Sequence, residues 1–341
     1  MDDLSSQKDP IVIVGAARTP MGGFQGDLKD AKAPELGTVA IQGALARAGV
    51  KPEDAGEVIM GVVLPAGQGQ APARQASRGA GIPDGVGCTT INKMCGSGMK
   101  AAMLAHDGIL AGSGSVMVAG GMESMSNAPY LLTKARQGYR MGHGEISDHM
   151  FLDGLEDAYD KGKLMGCYAE DTATAYQFTR DAQDDFAIES LTRAKKAIED
   201  GTFGAEVEPV TVKTRKAETV VENDEQPLKA DFEKIRRLKP AFAAEGTVTP
   251  ANSSSISDGA AALVLMRRSE AESRGLKPLA VIHGHATYAQ EPAWFTTAPI
   301  GAVEKLLEKT GWNREEVDLF EINEAFAVVT MAAMRDLDLP A

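Results

Sequence analysis

Short apolar runs alternate with helix-forming segments through the first 120 residues, and this alternation limits the possible folds more than any other feature. Strands are predicted at residues 11–17, 58–64 and 86–91 and from Val116 onward, and helices at 35–48, 70–79 and 99–110. Strands that are separated by helices form parallel β-α units, so the pattern predicts an α/β fold. In such sheets ligands bind at the ends of the strands.

Cys95 lies at one of these strand ends, in the turn before the helix at 99–110. Free backbone N–H groups and the helix dipole favour a thiolate there, so we expect the cysteine pKa to fall from about 8.5 toward about 7. Gly96 and Gly98 leave the sulfur open to a bulky electrophile. The Ala, Met and Leu content of the helix predicts that it is buried on most sides. Cys95 is therefore a candidate nucleophile.

Two other interpretations of this stretch are open from the residues alone. A lone cysteine among small residues is often only a small buried apolar side chain. Residues 96–101 also match a glycine fingerprint for dinucleotides. However, the preceding strand is polar at Thr89, Thr90 and Asn92, and the following strand ends in glycines rather than in a ribose-binding acid.

The ten residues around Cys95, NKMCGSGMKA at 92–101, resemble the nucleophile motif of the thiolases, which make or cleave 3-ketoacyl-CoA. The resemblance continues in order through IVIVGAARTP at 11–20, GGMES at 120–124, EGTVT at 245–249, NSSSISDGA at 252–260 and NEAFA at 323–327. Six motifs in register identify the sequence as a member of this family. The resemblance implies a duplicated, layered αβαβα fold with an inserted loop domain, and an acyl group carried on Cys95.

The same resemblance divides the chain into three parts. Residues 1–126 with 248–272 are expected to form the N-terminal half, 127–247 the loop domain, and 273–341 the C-terminal half. Within 127–247 charge is dense and only residues 180–199 form a long predicted helix. In thiolases this domain holds CoA and contributes to subunit contacts, so a homodimer or homotetramer is expected.

Several residues match family positions that contact the acyl-CoA substrate: Leu155, Met165, Arg215, Phe242, Ser254, Ala325 and Phe326. Arg215, with Lys213 and Lys216, also fits a solvated surface turn. Asn323 is implied to hold a water that donates to the thioester oxygen, and it also fits a helix N-cap. Leu164 stands where many family members carry histidine, so the preferred acyl chain is left open.

The C-terminal half repeats the N-terminal pattern less completely. A strand at 279–285 is expected to repeat the opening strand, and a strand at 319–322 and a helix at 324–335 follow. The family's histidine base and second cysteine have no counterpart, so we expect a truncated and impaired copy. His106 is about three turns from Cys95, too far to act as its base. The side chains of His283 and His285 are expected on the same side of a strand. No third metal ligand is evident beside them, so no metal site is predicted.

Composition limits the expected binding partners, disulfide content and cellular location. A net charge of −13 argues against nucleic acid or an anionic membrane as the main partner, although a small anionic substrate needs only a local basic patch. Three cysteines without Cys-x-x-Cys spacing argue against a disulfide framework and favour a reducing compartment. No apolar leader and no run of about 18 apolar residues is present in the sequence, so a cytoplasmic location is expected.

The expected function is the condensation of two acetyl-CoA to acetoacetyl-CoA, and the reverse thiolysis, through an acyl-Cys95 intermediate. The CoA thioester is the substrate, and no separate cofactor is implied. Two alternatives are kept: a 3-ketoacyl-CoA thiolase for longer chains, and a thiolase homologue that binds CoA without catalysis.

Overall fold

A mixed sheet of seven strands forms the centre of the fold. The computed structural model describes residues 9–215 and 217–340, so residues 1–8, Lys216 and Ala341 lie outside the described residues. The strands of this sheet are β1 (Ile11–Arg18), β2 (Gly22–Gly23), β3 (Glu57–Gly61), β4 (Gly87–Ile91), β5 (Val116–Ser124), β10 (Ser257–Arg267) and β11 (Ala280–Val281). Their order is β11-β1-β10-β5-β3-β4, and β2 pairs with β10.

Two small antiparallel pairs complete the strands. They are formed by β6 (Tyr130–Leu131) with β7 (Ser147–Asp148), and by β8 (Val210–Lys213) with β9 (Glu218–Val221).

The described residues contain ten α-helices. They are α1 (Ala33–Ala48), α2 (Pro72–Gly79), α3 (Ser97–Ala111), α4 (Met165–Tyr176), α5 (Arg180–Glu199), α6 (Glu225–Lys229), α7 (Phe232–Ile235), α8 (Arg268–Ser273), α9 (Ala298–Thr310) and α10 (Ala327–Asp336). Short 3₁₀ turns lie at Pro52–Asp54, Met125–Asn127, Ala135–Gln137, Thr202–Ala205, Pro292–Thr297 and Arg314–Glu316, and a π-helical turn at Phe151–Leu155. None of these described helices is long and apolar enough to cross a membrane.

Alternate side chains of the central strands are buried on opposite faces of the sheet. Val58 and Met60 pack with α1 and α2 on one face, while Ile59 packs with α3 on the other. Because successive residues of a strand point to opposite sides, a strand covered on both faces must be apolar at nearly every position. This requirement explains the continuous apolar runs from which the strands were predicted.

The N-terminal part confirms the predicted α/β pattern with one addition. β3 runs parallel to both β4 and β5, as expected for β-α units. β10, however, lies between β1 and β5 and is antiparallel to both. The segment after residue 256 thus rejoins the first sheet, as predicted, at its centre.

The helix that follows Cys95 is less buried than its composition predicted. Ala101, Ala105 and Ile109 face the sheet, whereas Met99 is 68% exposed and Leu110 is 39% exposed. Alanines on the inner side let the helix lie close to the sheet, while Met99 and Leu110 point outward. The prediction of a helix buried on most sides was therefore wrong.

The C-terminal part contains fewer strands than the sequence predicted. Only Ala280–Val281 of the predicted strand 279–285 pairs, and it adds to the edge of the first sheet beside β1. Residues 319–322 are irregular, and Leu319 is exposed. A strand needs a hydrogen-bonding neighbour, and no other strand pairs with residues 319–322 in the described part of the chain. The second β-layer of the predicted αβαβα arrangement is accordingly absent from the described residues.

Candidate active site

Hydrogen bonds between the Ser97 side chain and the backbone hold the turn that carries Cys95. The hydroxyl of Ser97 accepts from the N–H of Lys93 at 2.7 Å and donates to the carbonyl oxygen of Met94 at 2.6 Å. Met94 has a φ of 48°, in the left-handed region that non-glycine residues seldom adopt. The turn places Cys95 directly before Gly96, the N-cap of α3, as the sequence predicted.

Glycine lets this turn lie very close to the sheet. A Cβ added to Gly61, the last residue of β3, would meet the Cβ of Ser97 at 2.5 Å and its carbonyl carbon at 2.6 Å. At Gly98 an added Cβ would meet the backbone of Gly120 and Gly121 on β5 at 3.6–3.7 Å, an ordinary contact distance, so the packing at this position does not require glycine. Gly61 was not among the predicted site residues.

The Cys95 side chain is exposed, which fits a nucleophile and not a buried apolar residue. Its pKa, however, is raised and not lowered as predicted. Desolvation of the thiol by the surrounding protein is the largest cause, and the negative charge of Glu123 acts in the same direction. A hydrogen bond from the residue's own N–H only partly offsets them. The thiol is thus the main form at neutral pH, and its attack on an acyl group requires a proton acceptor.

Glu123 acts electrostatically on Cys95 and was not among the predicted site residues. Its carboxylate accepts from the N–H of Val63 at 2.7 Å and from the N–H of Leu64 at 3.2 Å. Burial raises the pKa of Glu123 despite these two hydrogen bonds. Its place in the GGMES motif at 120–124 was the only available signal.

His149 is a second residue that the sequence analysis did not assign. Its Nδ1 lies 2.6 Å from Oδ2 of Asp153, and its Nε2 is buried without a hydrogen-bond partner among the described residues. The ring lies near enough to Glu123 for a positive charge on it to lower the pKa of that carboxyl.

Most of the residues implied to contact the substrate come together beside α10. Met165, Phe242, Ala325 and Phe326 share one hydrophobic cluster, in which the rings of Phe242 and Phe326 meet edge to face at 6.2 Å. A Cβ on Gly166 would lie 2.3 Å from the Phe242 ring. The first turn of α4 can therefore approach the ring only with glycine at this position.

Backbone hydrogen bonds connect Ser254 and Asn323 to Ala325 of this hydrophobic cluster. The N–H of Ser254 donates to the carbonyl oxygen of Ala325 at 2.8 Å, and the N–H of Ala325 donates to that of Asn323 at 2.9 Å. The N–H of Ala327 donates to the carbonyl oxygen of Asn252 at 2.9 Å, and α10 begins at Ala327 with Phe326 as its N-cap. The interpretation of Asn323 as a helix N-cap was therefore wrong. Ser254 and Asn323 line a common cavity of about 840 Å³, and Cys95 is not part of its wall.

The two remaining predicted contacts lie in different surroundings. Leu155 ends the π-helical turn, and the next residue, Glu156, pairs with Leu164 at the start of α4. Arg215 lies in the exposed turn between β8 and β9. The buried side of that hairpin packs on Leu28 and Leu36, in a cluster separate from that of Phe242. The roles of Leu155 and Arg215 in substrate binding stay predictions.

This fold, with a cysteine exposed between β4 and α3, defines the chain as a member of the thiolase family. Residues 11–269 match the family model of the thiolase N-terminal domain, and residues 276–341 match that of the thiolase C-terminal domain. The predicted resemblance is confirmed, and the chain is an acyltransferase.

Two relatives of the chain belong to one branch of the thiolases, the acetyl-CoA acetyltransferases. The chain is 51% identical over 332 residues to acetyl-CoA acetyltransferase 2 of Arabidopsis thaliana, covering 96% of this chain and 82% of the relative. It is 46% identical over 329 residues to the acetyl-CoA acetyltransferase of Cupriavidus necator, covering 96% and 84%. These two relatives carry the same activity in their names.

Solved structures show the same fold. The acetyl-CoA acetyltransferase of Bacillus anthracis superposes with a TM-score of 0.94 at 42% identity, covering 97% of this chain and 84% of that one. An Ascaris suum thiolase in complex with coenzyme A gives a TM-score of 0.92 at 39% identity, covering 97% and 85%. The prediction of a thiolase-like α/β fold is thereby confirmed.

Proposed function

We propose that the chain condenses two acetyl-CoA molecules to acetoacetyl-CoA and catalyses the reverse thiolysis, through an acyl group on Cys95. The observation that carries the proposal is the exposed sulfur at the start of α3, in a chain whose relatives are acetyl-CoA acetyltransferases. The complex of the Ascaris suum thiolase with coenzyme A supports a CoA thioester as the substrate. No further cofactor is needed for this chemistry.

The first half-reaction transfers the acyl group. The Cys95 sulfur loses its proton and attacks the thioester carbonyl, the bond from the carbonyl carbon to the CoA sulfur breaks, and that sulfur takes up a proton. Because the Cys95 pKa is raised, the rate of this step increases with pH until the thiol has ionised. Asn323 is proposed to act through a bound water as a donor to the carbonyl oxygen.

The second half-reaction forms the new carbon–carbon bond. A base removes a proton from the methyl group of the second acetyl-CoA, the resulting carbanion attacks the acyl carbon, and Cys95 is released as a thiolate. The apolar cluster around Phe242 and Phe326, with Met165 and Ser254 beside it, is proposed to hold the pantetheine arm.

Peptide mass spectrometry after incubation with acetyl-CoA tests the proposal. We expect one acetyl group on the peptide that contains Cys95, with Cys88 and Cys167 as internal controls and Cys95→Ala as the matched control variant. CoA binding without acetylation of Cys95 would support a binding protein and contradict the proposal. Thiolysis rates with four-carbon and longer substrates would separate acetyl transfer from cleavage of longer chains. The same assay tests the expectation of impaired turnover.

We also propose that the chain forms a homodimer or homotetramer through its loop domain. Tyr130, Leu132, Met141 and Ile146 are all more than half exposed, within one short segment next to the β6–β7 pair. A concentration of exposed apolar side chains is typical of an interaction surface. Sedimentation of the wild type and of Met141→Glu tests this proposal, since a monomeric wild type would contradict it.

A further inference from the structure

Three metal-ligating side chains meet between α3 and the segment that follows β11. His106 and Asp107 are consecutive residues of α3, and His285 lies four residues beyond the end of β11. Nδ1 of His106 is 3.0 Å from Oδ1 of Asp107, and Nε2 of His285 is 2.8 Å from the same oxygen. One ligand atom from each residue lies within 4.8 Å of the other two.

We propose that His106, Asp107 and His285 form a binding site for a divalent transition-metal ion of the zinc class. Two imidazoles, one carboxylate and an open position for water are a common ligand set for zinc. At zinc–ligand distances of about 2.0–2.1 Å, the ligand atoms of a tetrahedral site are about 3.3 Å apart. The distances from Oδ1 of Asp107 to Nδ1 of His106 and to Nε2 of His285 need to lengthen by only a few tenths of an ångström to reach this value.

The surrounding structure holds the three ligands in place. The His106 ring is buried and meets the ring of His285 edge to face at 5.2 Å. The Lys309 ammonium group of α9 donates to the carbonyl oxygen of His285 at 2.9 Å, which fixes the backbone at that ligand. Asp107 is about half exposed, with 52% of its side chain accessible, so a metal-bound water has a path to solvent. Such preorganisation favours metal binding in the folded state.

Without metal, Oδ1 of Asp107 accepts a hydrogen bond from Nδ1 of His106 and another from Nε2 of His285. When a metal binds, His106 Nδ1 and His285 Nε2 coordinate it as neutral imidazole nitrogens, and the ring protons lie on the other nitrogens.

From the sequence, His283 and His285 are the histidine pair that stands out, and no metal site is predicted from them. His283 and His285 are two residues apart, but the structure places the His283 ring against Trp312, with centroids 5.0 Å apart. The partners of His285 come instead from α3, which the sequence could not show because 178 residues separate His285 from Asp107. His283 therefore provides a matched control on the same segment.

The site would tie the C-terminal part of the chain to the helix that begins at Cys95. His106 is eleven residues along the chain from Cys95, or about 16 Å at 1.5 Å per residue. At that distance the metal stabilises the fold and does not take part in acyl transfer.

Titration of the untagged, metal-free protein with Co²⁺ tests the proposal, because tetrahedral Co²⁺ absorbs much more strongly than six-coordinate Co²⁺. We expect a tetrahedral spectrum that one equivalent of Zn²⁺ abolishes. Asp107→Asn and His285→Gln should each weaken Co²⁺ binding at least tenfold, and His283→Gln should leave it unchanged. Zn²⁺ should raise the melting temperature of the wild type and of His283→Gln only.

Three results would overturn the proposal. They are a wild-type spectrum without tetrahedral bands, a thiolate-to-cobalt charge-transfer band that places the metal on a cysteine, and equal affinity in the wild type and the two ligand variants. The first two are read from the wild type alone, so they decide the question even if a variant does not fold.

Discussion

The side chain of Asn92 connects the turn of Cys95 to Val63, because its Nδ2 donates to the carbonyl oxygen of Val63 over 3.1 Å. Its Oδ1 accepts from the N–H of Met94 at 2.8 Å. The N–H of Val63 in turn donates to the carboxylate of Glu123. Val63 is thus a common anchor for the nucleophile turn and for the Glu123 carboxylate.

Asn92→Ala removes both side-chain hydrogen bonds of this connection. Each such bond contributes about 1 kcal/mol, so we expect a loss of about 1–2 kcal/mol in the free energy of unfolding. Because the turn is then less well positioned, acetylation of Cys95 should slow about tenfold or more. Urea unfolding and the rate of acetylation measure the two effects. Thr89→Ala, on the exposed side of β4, is the control, and equal acetylation rates in both variants would contradict the prediction.

Glu123→Gln removes the negative charge that raises the pKa of Cys95. The Cys95 thiolate is then easier to form, so its pKa should fall and its alkylation by iodoacetamide near neutral pH should accelerate. The measurement is the alkylation rate of Cys95 as a function of pH, followed by peptide mass spectrometry. Glu308→Gln, on an exposed face of α9, should leave the profile unchanged. An unshifted profile in Glu123→Gln would show that the carboxylate has no electrostatic effect on the sulfur.

Local sequence patterns predicted the N-terminal elements well. β1, α1 and α3 lie within a few residues of their predicted positions, because apolar periodicity and a glycine C-cap determine such elements locally. Gly49, for example, ends α1 in the left-handed conformation, with a φ of 67°. The position of Cys95 before α3 follows from the same local signals.

Properties that depend on long-range contacts were harder to predict. The pKa of Cys95 depends on desolvation and on Glu123, which lies 28 residues further along the chain. The strand predicted at 319–322 has the right composition, but a strand also requires a neighbour for its hydrogen bonds. The close approach of Gly61 to Ser97 likewise arises only when β3 and α3 pack together.

Gly61→Ala should disturb the nucleophile turn, because the new methyl group would overlap the backbone of Ser97 at 2.6 Å. Overpacking of this kind costs about 1–3 kcal/mol. We expect a lower melting temperature and slower acetylation of Cys95, since relief of the overlap moves the start of α3 away from β3. At Gly85 an added Cβ meets nothing within 4 Å, so Gly85→Ala is the control for any general effect of replacing glycine. Equal melting temperatures in the two variants would contradict the close packing of the turn.

Glu225→Gln should destabilise the protein near neutral pH and lose this effect in acid. Burial alone would raise the pKa of Glu225, but hydrogen bonds from Lys229 and from the N–H groups of Asp27 and Gly23 lower it overall. A carboxylate whose pKa is lowered by folding contributes stability above its unfolded-state pKa of about 4.3, and this stability is lost as the pH falls through the lower folded-state value. We expect a difference of about 1–2 kcal/mol between wild type and variant at neutral pH, and a much smaller one near pH 3, measured by urea unfolding. Glu218→Gln removes a solvent-exposed ion pair with Lys213 and should change stability little at either pH. A Glu225→Gln difference that is the same at both pH values would contradict the proposed electrostatic origin.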